Sequence, residues 1–434
     1  MVNRRVHRLQ RAAMRTFFLL VPAVLLACGA PAPTWHQDVR PIIEGRCMNC
    51  HKTGGVAPFV LDSYASTKTM GPALVDATQK GRMPPWLATA NDVGGYLRDP
   101  SLTPAQKDVI KKWVEGGMLE GDAKKPTPAL ADVATGLPQV DLTLKMPEPY
   151  TPQILPDDYR CFVLRWPMTT PTYVTGVNGV PGNSKIVHHV AVYLIDGEAA
   201  QYPPMWDAED ATPGYKCFGG PFGDRPQQFP VKLLTAWLPG YQGQTFPRGG
   251  GVLIPPGSTV VLQMHYSSLE AAPTPDQTAM EFSLSPTVSR RVAYQPFLKF
   301  DWVAGQMEIP ANKNEVVHEH RADPRPNFGL LGSPLNTTNG FNIEAIMFHM
   351  HTLGTRGEVW IHKADKTKKK IIEIPRWDFH WQQEYQLAEP VRFEPGDELR
   401  MKCVFDNSKS TSKLTNWGEN SDEEMCVANL LSSE

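Results

Sequence analysis

No run of basic residues long enough to neutralise a tract of phosphates occurs in this 434-residue chain, and its formal net charge is −2. A charged face for nucleic acid is therefore excluded. The one lysine-rich stretch, Lys363 to Lys370, lies between the strand-like runs Gly357–His362 and Lys370–Pro375 and reads as a solvated hairpin tip. Long apolar runs are missing as well. The best of them, Phe17 to Ala27, is too short to span a bilayer. No Ser-His-Asp set suggests itself as a hydrolytic triad. Cysteine is scarce, with seven in the whole chain, and histidine numbers twelve. The functional argument rests on where these few residues fall. Length suggests about two to four domains, and a hydrophobic content of 41% allows sizeable cores.

The N-terminus reads as an export signal over residues 1–27. Arg4, Arg5, Arg8, Arg11 and Arg15 form a basic region, followed by the apolar run and Leu25-Leu26-Ala27-Cys28. That ending resembles the lipobox of bacterial lipoproteins, which makes Cys28 the lipidation candidate and residues 28–32 a lipid-anchored segment at a membrane surface. Arg4-Arg5 hints at twin-arginine export, and Met14 is an alternative start to Met1. The expected location is the periplasm or the outer membrane. Cys47 and Cys50 belong to a motif of their own. Cys161, Cys217, Cys403 and Cys426 remain, an even number in an exported chain, and they favour disulfides in one of three pairings.

Cys47-Met48-Asn49-Cys50-His51 is a C-x-x-C-H motif, the attachment signature of c-type haem. Two thiols add to the haem vinyl groups and His51 becomes the proximal iron ligand. A lone C-x-x-C also suits a zinc half-site or a dithiol, but neither needs the histidine. The Pro58 carbonyl is placed to orient the His51 ring. Gly81-Arg82-Met83-Pro84-Pro85-Trp86 resembles the distal-methionine loop of a class I cytochrome c, with Met83 the expected sixth ligand and Met70 the fallback. Such Met/His ligation suits electron transfer. Thr103-Pro104-Ala105-Gln106 predicts a capped helix start, Val109, Ile110, Trp113 and Val114 its apolar face, and Gly116-Gly117 its stop. These features delimit a small all-α cytochrome c domain over 33–122. Residues 123–137 are polar and proline-bearing, a linker whose reach of roughly 20 Å would let that domain dock and release.

Beyond the linker the pattern changes to short strands separated by Pro/Gly turns. Ile254-Pro255-Pro256-Gly257 with the strand ending His265-Tyr266 aligns with Phe393-Glu394-Pro395-Gly396 and the strand ending Val404-Phe405. This repeat predicts two similar all-β sandwich domains, 138–286 and 287–434. The first would carry His188, His189 and His265, the second His349, His351 and Met425. Three imidazoles suit copper, zinc, iron or nickel, whereas a thioether selects Cu(I). His349 and His351 share a strand face by period-two alternation. Adjacent His188 and His189 need a bulge or a strand end to ligate together. His318, His320, His362 and His380 fit no such set and read as structural or solvated.

In order and wording, the segments Val187-His188-His189-Val190, Met264-His265-Tyr266, His349-Met350-His351 and Glu424-Met425-Cys426 resemble the copper type II, ascorbate-dependent monooxygenases, over residues 138–434. That resemblance implies tandem jelly-roll sandwiches with two copper ions and pairings Cys161–Cys217 and Cys403–Cys426. It also implies that the His-His-Met copper activates O2, that the three-histidine copper supplies an electron, and that a substrate C–H becomes C–OH. The sequence departs from the peptide-amidating members at their substrate arginine, here Met347, and at their Asn and Tyr, here Val427 and Asn429. Bidentate carboxylate recognition needs Arg. The neighbourhood of Met347, Val427 and Ala428 predicts a neutral or apolar small-molecule substrate. Electrons are expected from a periplasmic donor through the haem, from ascorbate, or from both. Two other readings of the same ligands are a non-catalytic copper/haem electron-transfer or copper-handling lipoprotein and a zinc hydrolase, the latter opposed by Met425.

Overall fold

The computed structural model describes residues 31–128, 130, 136–239, 241, 243–269 and 271–434. The export signal, Cys28 and part of the linker lie outside the described residues.

Near the N-terminus a helical turn Trp35–Val39 leads into helix Arg40–Arg46, followed by Tyr64–Thr69, Gly71–Gln79 and Pro104–Glu115. They close on Trp35, Val39, Ile43, Leu61, Leu74, Ile110 and Trp113. The last helix starts as its sequence predicts. Thr103 Oγ1 accepts from the Gln106 N–H at 3.2 Å, and Gln106 Oε1 accepts from the Thr103 N–H at 2.9 Å, satisfying two of the donors that a helix start leaves open. At its end Gly117 takes φ +87°, a conformation glycine adopts without strain.

One stretch departs from the expected 33–122 domain. Leu87 and Ala88 are buried in the core of the C-terminal sandwich, with Trp86, Val93 and Tyr96 packed against it. Backbone bonds fasten the stretch there: Thr89 N–H to the Glu373 carbonyl (2.9 Å), Asp92 N–H to Lys370 (3.0 Å), Leu97 N–H to Gln386 (2.8 Å) and Ala388 N–H to Gly95 (3.0 Å). The apolar residues that follow the Met-Pro-Pro loop are therefore a strap on the sandwich. A strap fixed by four ladder-like bonds does not fit the expected docking and release.

Three sheets make up the rest. A five-stranded sheet runs in the order Tyr215–Lys216, Asp157–Arg165, Thr259–Ser267, Val187–Ile195, Lys232–Trp237, and a four-stranded sheet in the order Val316–Ala322, Glu398–Phe405, Gly354–His362, Lys368–Ile374. Each packs on one half of a nine-stranded sheet, across cores centred on Phe162, Val190, Leu262 and Phe282 in one case and Ile343, Val359, Ile372 and Leu430 in the other. The two repeated segments become the strands Thr259–Ser267 and Glu398–Phe405, with Gly257 and Gly396 at positive φ in the turns before them. Of the Lys363–Lys370 stretch, residues 363–367 form the expected turn and Lys368 to Lys370 begin the next strand, and Lys363 Nζ reaches the buried Asp397 carboxylate at 2.5 Å.

The two sandwiches are joined more closely than two separate domains would be. The large sheet passes from one to the other through a short parallel pairing, Arg290 with Gly250 and Arg291 with Gly251. Glu344 reinforces this junction. The register of its strand shifts between Ile343 and Ala345, and Glu344, 0% exposed, meets Arg248 at 2.6 Å and Arg290 at 3.0 Å. Ser433 Oγ donates to it at 2.7 Å, and Arg248 Nη2 also donates to the Leu387 and Ala388 carbonyls. A buried carboxylate needs such partners. Glu344→Ala leaves two guanidinium groups facing each other and should lower the unfolding free energy by about 3 kcal/mol, read from urea titration. A loss below about 0.5 kcal/mol would contradict the clamp.

Candidate metal centres

The sequence predicts that His188 and His189 can act together only if their strand is irregular, and it is. Against Thr259–Ser267 the register shifts between Val187 and His189, so His188 occupies a bulge and both rings turn to one side. His265 is paired opposite His189. His188 Nδ1 lies 3.3 Å from His189 Nδ1, which lies 3.3 Å from His265 Nδ1. The three ligand atoms fall within 4.8 Å of one another. Asp157 Oδ1 stands 2.8 Å from the far nitrogen of His265 and holds the proton there, leaving Nδ1 with its lone pair facing the cluster. Tyr159 stacks on the His265 ring at 4.3 Å.

The second set uses the other ring nitrogen. His349 Nε2 and His351 Nε2 approach to 3.1 Å. His349 Nδ1 donates to Gln382 Oε1 at 2.6 Å and His351 Nδ1 to the Glu423 carbonyl at 3.2 Å. Both outward nitrogens thus carry the proton, and both inward nitrogens present lone pairs. Met425 is 6% exposed and lines the same cavity wall as His349.

Glu424, between the two ligand segments, organises this set and was not singled out by sequence reasoning. It is 0% exposed. Its carboxylate accepts from the backbone N–H groups of His351 (2.9 Å), Leu353 (2.5 Å), Gly354 (3.2 Å) and its own neighbour Met425 (3.2 Å). Burial pushes this carboxyl up to about 7 while those four N–H groups pull it down. The chain reversal after His351 and the turn into Met425 are in this way held by one side chain. The disulfide Cys403–Cys426 ties the residue after Met425 to the strand Glu398–Phe405, and Cys161–Cys217 cross-links the strand Asp157–Arg165 of the other sandwich. These are the pairings the family resemblance implies.

Removal from water lowers the basicity of these rings. Burial, and then neighbouring imidazoles, push His188 down to about 3 and His189 well below its ordinary value. Burial and then His349 do the same to His351, to about 3. Neutral imidazoles in converging sets, with outer partners fixing the tautomers of His265, His349 and His351, suit copper or another N-binding transition metal.

A cavity of about 410 Å3 connects the sets, lined by His189 on one side and by His349, Met425 and Gln382 on the other. Met347, Val427 and Asn429 line it too. Ala428, expected beside them, points into the core at 0% exposure, because alternate strand residues face opposite ways. Glu419 also lines the cavity, its carboxyl bonded to no described residue. Burial and then Glu423 push that carboxyl up to about 7. Among the remaining histidines, His318 bonds the Glu308 carbonyl, His320 stacks on Phe297 and His380 is exposed beside Asp378. None of these three belongs to a cluster of three metal-ligating side chains among the described residues.

At the C-x-x-C-H motif Cys47 and Cys50 are not bonded to each other. Burial pushes the Cys47 thiol up to about 12. His51 is 8% exposed, and its Nδ1 bonds the Phe59 carbonyl at 3.0 Å. Phe59 thus takes the part expected of Pro58, one residue further along the same loop. Nε2 of His51 is left for a metal. Met83 is half-buried just before the strap, whereas Met70 packs against the helical core.

Residues 303–431 match the copper type II ascorbate-dependent monooxygenase C-terminal domain. The chain is 25% identical to a tyramine beta-hydroxylase of Caenorhabditis briggsae over 345 residues, 73% of this chain and 53% of that protein. It is 24% identical to human DBH-like monooxygenase protein 1 over 58% of this chain and 40% of that protein. It is 23% identical to rat dopamine beta-hydroxylase over 86% of this chain and 62% of that protein. The chain spans about half the length of the first of these relatives.

Two outcomes follow from this geometry. Glu424→Ala frees four backbone N–H groups around His351 and Met425, so any metal that His349, His351 and Met425 take up should be lost while metal taken up by His188, His189 and His265 stays. Metal analysis with single-site histidine variants reads this directly, and full loading would contradict it. The second concerns pH. His188 and His351 titrate near 3 in the fold and near 6.5 once unfolded. The unfolded chain then binds more protons across that window, and stability present above 6.5 is lost as pH falls toward 3. The melting temperature of metal-free protein should drop from pH 7 to pH 5. Substituting both histidines by Asn should flatten that drop, and an unchanged slope would refute the assignment.

Proposed function

We propose that this chain is a copper-dependent monooxygenase that hydroxylates a C–H bond of a small-molecule substrate with O2, its electrons entering through a covalently bound c-type haem, through ascorbate, or through both. The observation that carries the reading is that two imidazole sets of different donor geometry, one accompanied by Met425, open onto one cavity. The similarity to copper monooxygenases supports it. Copper bound in these sets would supply the one-electron chemistry that activates O2.

His188, His189 and His265 would hold one ion through Nδ1, with Asp157 fixing the His265 ring. His349 and His351 would hold the other through Nε2, with Met425 as thioether donor favouring the reduced ion. With Met347 where a carboxylate-binding arginine would stand, the cavity walls suit a neutral or apolar body. Val231, Leu233, Val252, Phe328 and Leu335 extend that apolar lining away from the ligands. The relatives' printed names point to amines such as tyramine and dopamine. Glu419 is the cavity carboxyl that an amine would meet.

The C-x-x-C-H residues fit a haem: two free thiols, a proximal histidine with its ring oriented, and a buried Arg46 Nε with no partner beside Cys47. Cys47 and Cys50 would carry it, His51 and Met83 would ligate its iron, and it would supply one-electron transfer. Two disulfides suit an oxidising compartment. No helix among the described residues is long and apolar enough to cross a membrane. Lipidation at Cys28 would place the protein at a periplasmic membrane surface, within reach of an electron donor.

Protein made in a haem-c-competent host should contain two coppers and one covalent haem per chain. Met83→Ala should convert a low-spin optical spectrum to a ligand-accessible one. Met425→Leu should weaken Cu(I) at one site alone. If two coppers remain after His349→Ala with His351→Ala, the assignment of the second set is wrong.

A further inference from the structure

The segment between the strands Lys368–Ile374 and Glu384–Phe393 belongs by chain to the C-terminal sandwich, yet it touches rings of both ligand sets. Trp377 Nε1 donates to the His351 carbonyl at 3.0 Å, and the Trp377 N–H to Thr355 at 2.7 Å. A turn closed by Trp381 N–H to Asp378 (3.0 Å) follows. Gln382 then bonds His349 through Oε1 at 2.6 Å and donates from Nε2 to the Phe379 carbonyl at 3.2 Å. Gln383 Nε2 donates to the Pro85 carbonyl at 2.9 Å, tying the loop to the strap that follows Met83.

A loop anchored in this way has a rigid tip, and the tip is Phe379. Its ring stacks on His188 at 4.8 Å and 21°, and stands edge-on to His351 at 6.0 Å and 81°. Among the described residues no other ring contacts a histidine of each set. The shared sheet and Glu344 join the sandwiches through backbone and a salt bridge. Phe379 joins them at the ligands.

We propose that the loop Trp377–Gln383 is a clasp between the two ligand sets, and that Phe379 is the positioning residue that fixes their separation and covers the face of the His188 ring. The proposal rests on the two-copper reading. A ring stacked on His188 and edge-on to His351 spans those two ligands directly, and a packed aromatic holds one distance where loose side chains would allow many. Gln382 contributes by orienting His349 and by carrying Phe379 through its carbonyl. Supporting residues of this kind locate a metal as firmly as its own ligands do.

The test is electron paramagnetic resonance of the full chain loaded with Cu(II), comparing wild type, Phe379→Ala and Phe379→Tyr. Metal analysis comes first, and fewer than two coppers in the wild type would sink the two-copper reading and this inference with it. With two coppers bound, dipolar coupling should give a single narrow distribution of copper–copper distances in wild type and in Phe379→Tyr. Phe379→Ala should widen it at least twofold. Deuterium modulation from solvent at the three-histidine ion should also rise in Phe379→Ala, a change that general loosening of the fold elsewhere would not produce. Should Phe379→Ala lose a copper, Phe379→Leu, which keeps bulk but not a flat ring, carries the same comparison. Unchanged distances and unchanged solvent modulation in variants retaining both coppers would overturn the proposal.

Discussion

Everything proposed for this protein depends on holding two sets of neutral imidazoles, carried by different sandwiches, against one cavity. Imidazoles taken out of water give up their protons readily, which readies them for a metal but leaves each nitrogen in need of a partner. The chain meets that need twice, with opposite choices. At His265 the proton sits on the far nitrogen, held by Asp157. At His349 and His351 it sits on Nδ1, held by Gln382 and the Glu423 carbonyl. The inward nitrogens of these three rings are fixed by the partners of their outward ones.

Position is set on a larger scale by the junction of the sandwiches. One sheet runs through both, and Glu344 is buried between Arg248 and Arg290 across it. Such a triad adds little net stability compared with an apolar replacement. Its value is that it tolerates one arrangement, since any slip would leave a buried charge unpaired. Within the C-terminal sandwich Glu424 acts in the same manner, converting four backbone N–H groups into a frame for His351 and Met425.

Much of this was legible in the sequence. The need for irregularity at His188-His189, the shared strand face of His349 and His351 and the repeated turn-strand segments followed from residue type and strand period, whereas the grouping of the six candidate ligands was implied by the family resemblance. The disulfide pairs were implied by the family resemblance. The capping box at Thr103 was visible because it is a purely local device. What could not be read was non-local. The stretch Pro85–Arg98 carries no periodic signal that separates a loop of a helical domain from a strap on a sandwich 280 residues later. Glu424 looked like one acid in the run Asp422-Glu423-Glu424, and only burial distinguishes it. Phe379 and Gln382 sit in an irregular segment where neither period applies. The Pro58 expectation failed by one residue because loop carbonyl directions depend on dihedrals that composition does not fix. Ala428 follows Val427 on one strand, so alternation turns it from the cavity into the core.

The central claim is that two chemically different copper sites share one cavity. X-ray absorption at the copper edge on fully reduced, copper-loaded protein tests it most directly. The account predicts two coppers per chain, with nitrogen scatterers at both and a sulfur scatterer at half weight that disappears in Met425→Leu while the nitrogen shells persist. A spectrum with no sulfur contribution, or one unchanged by Met425→Leu, would contradict it.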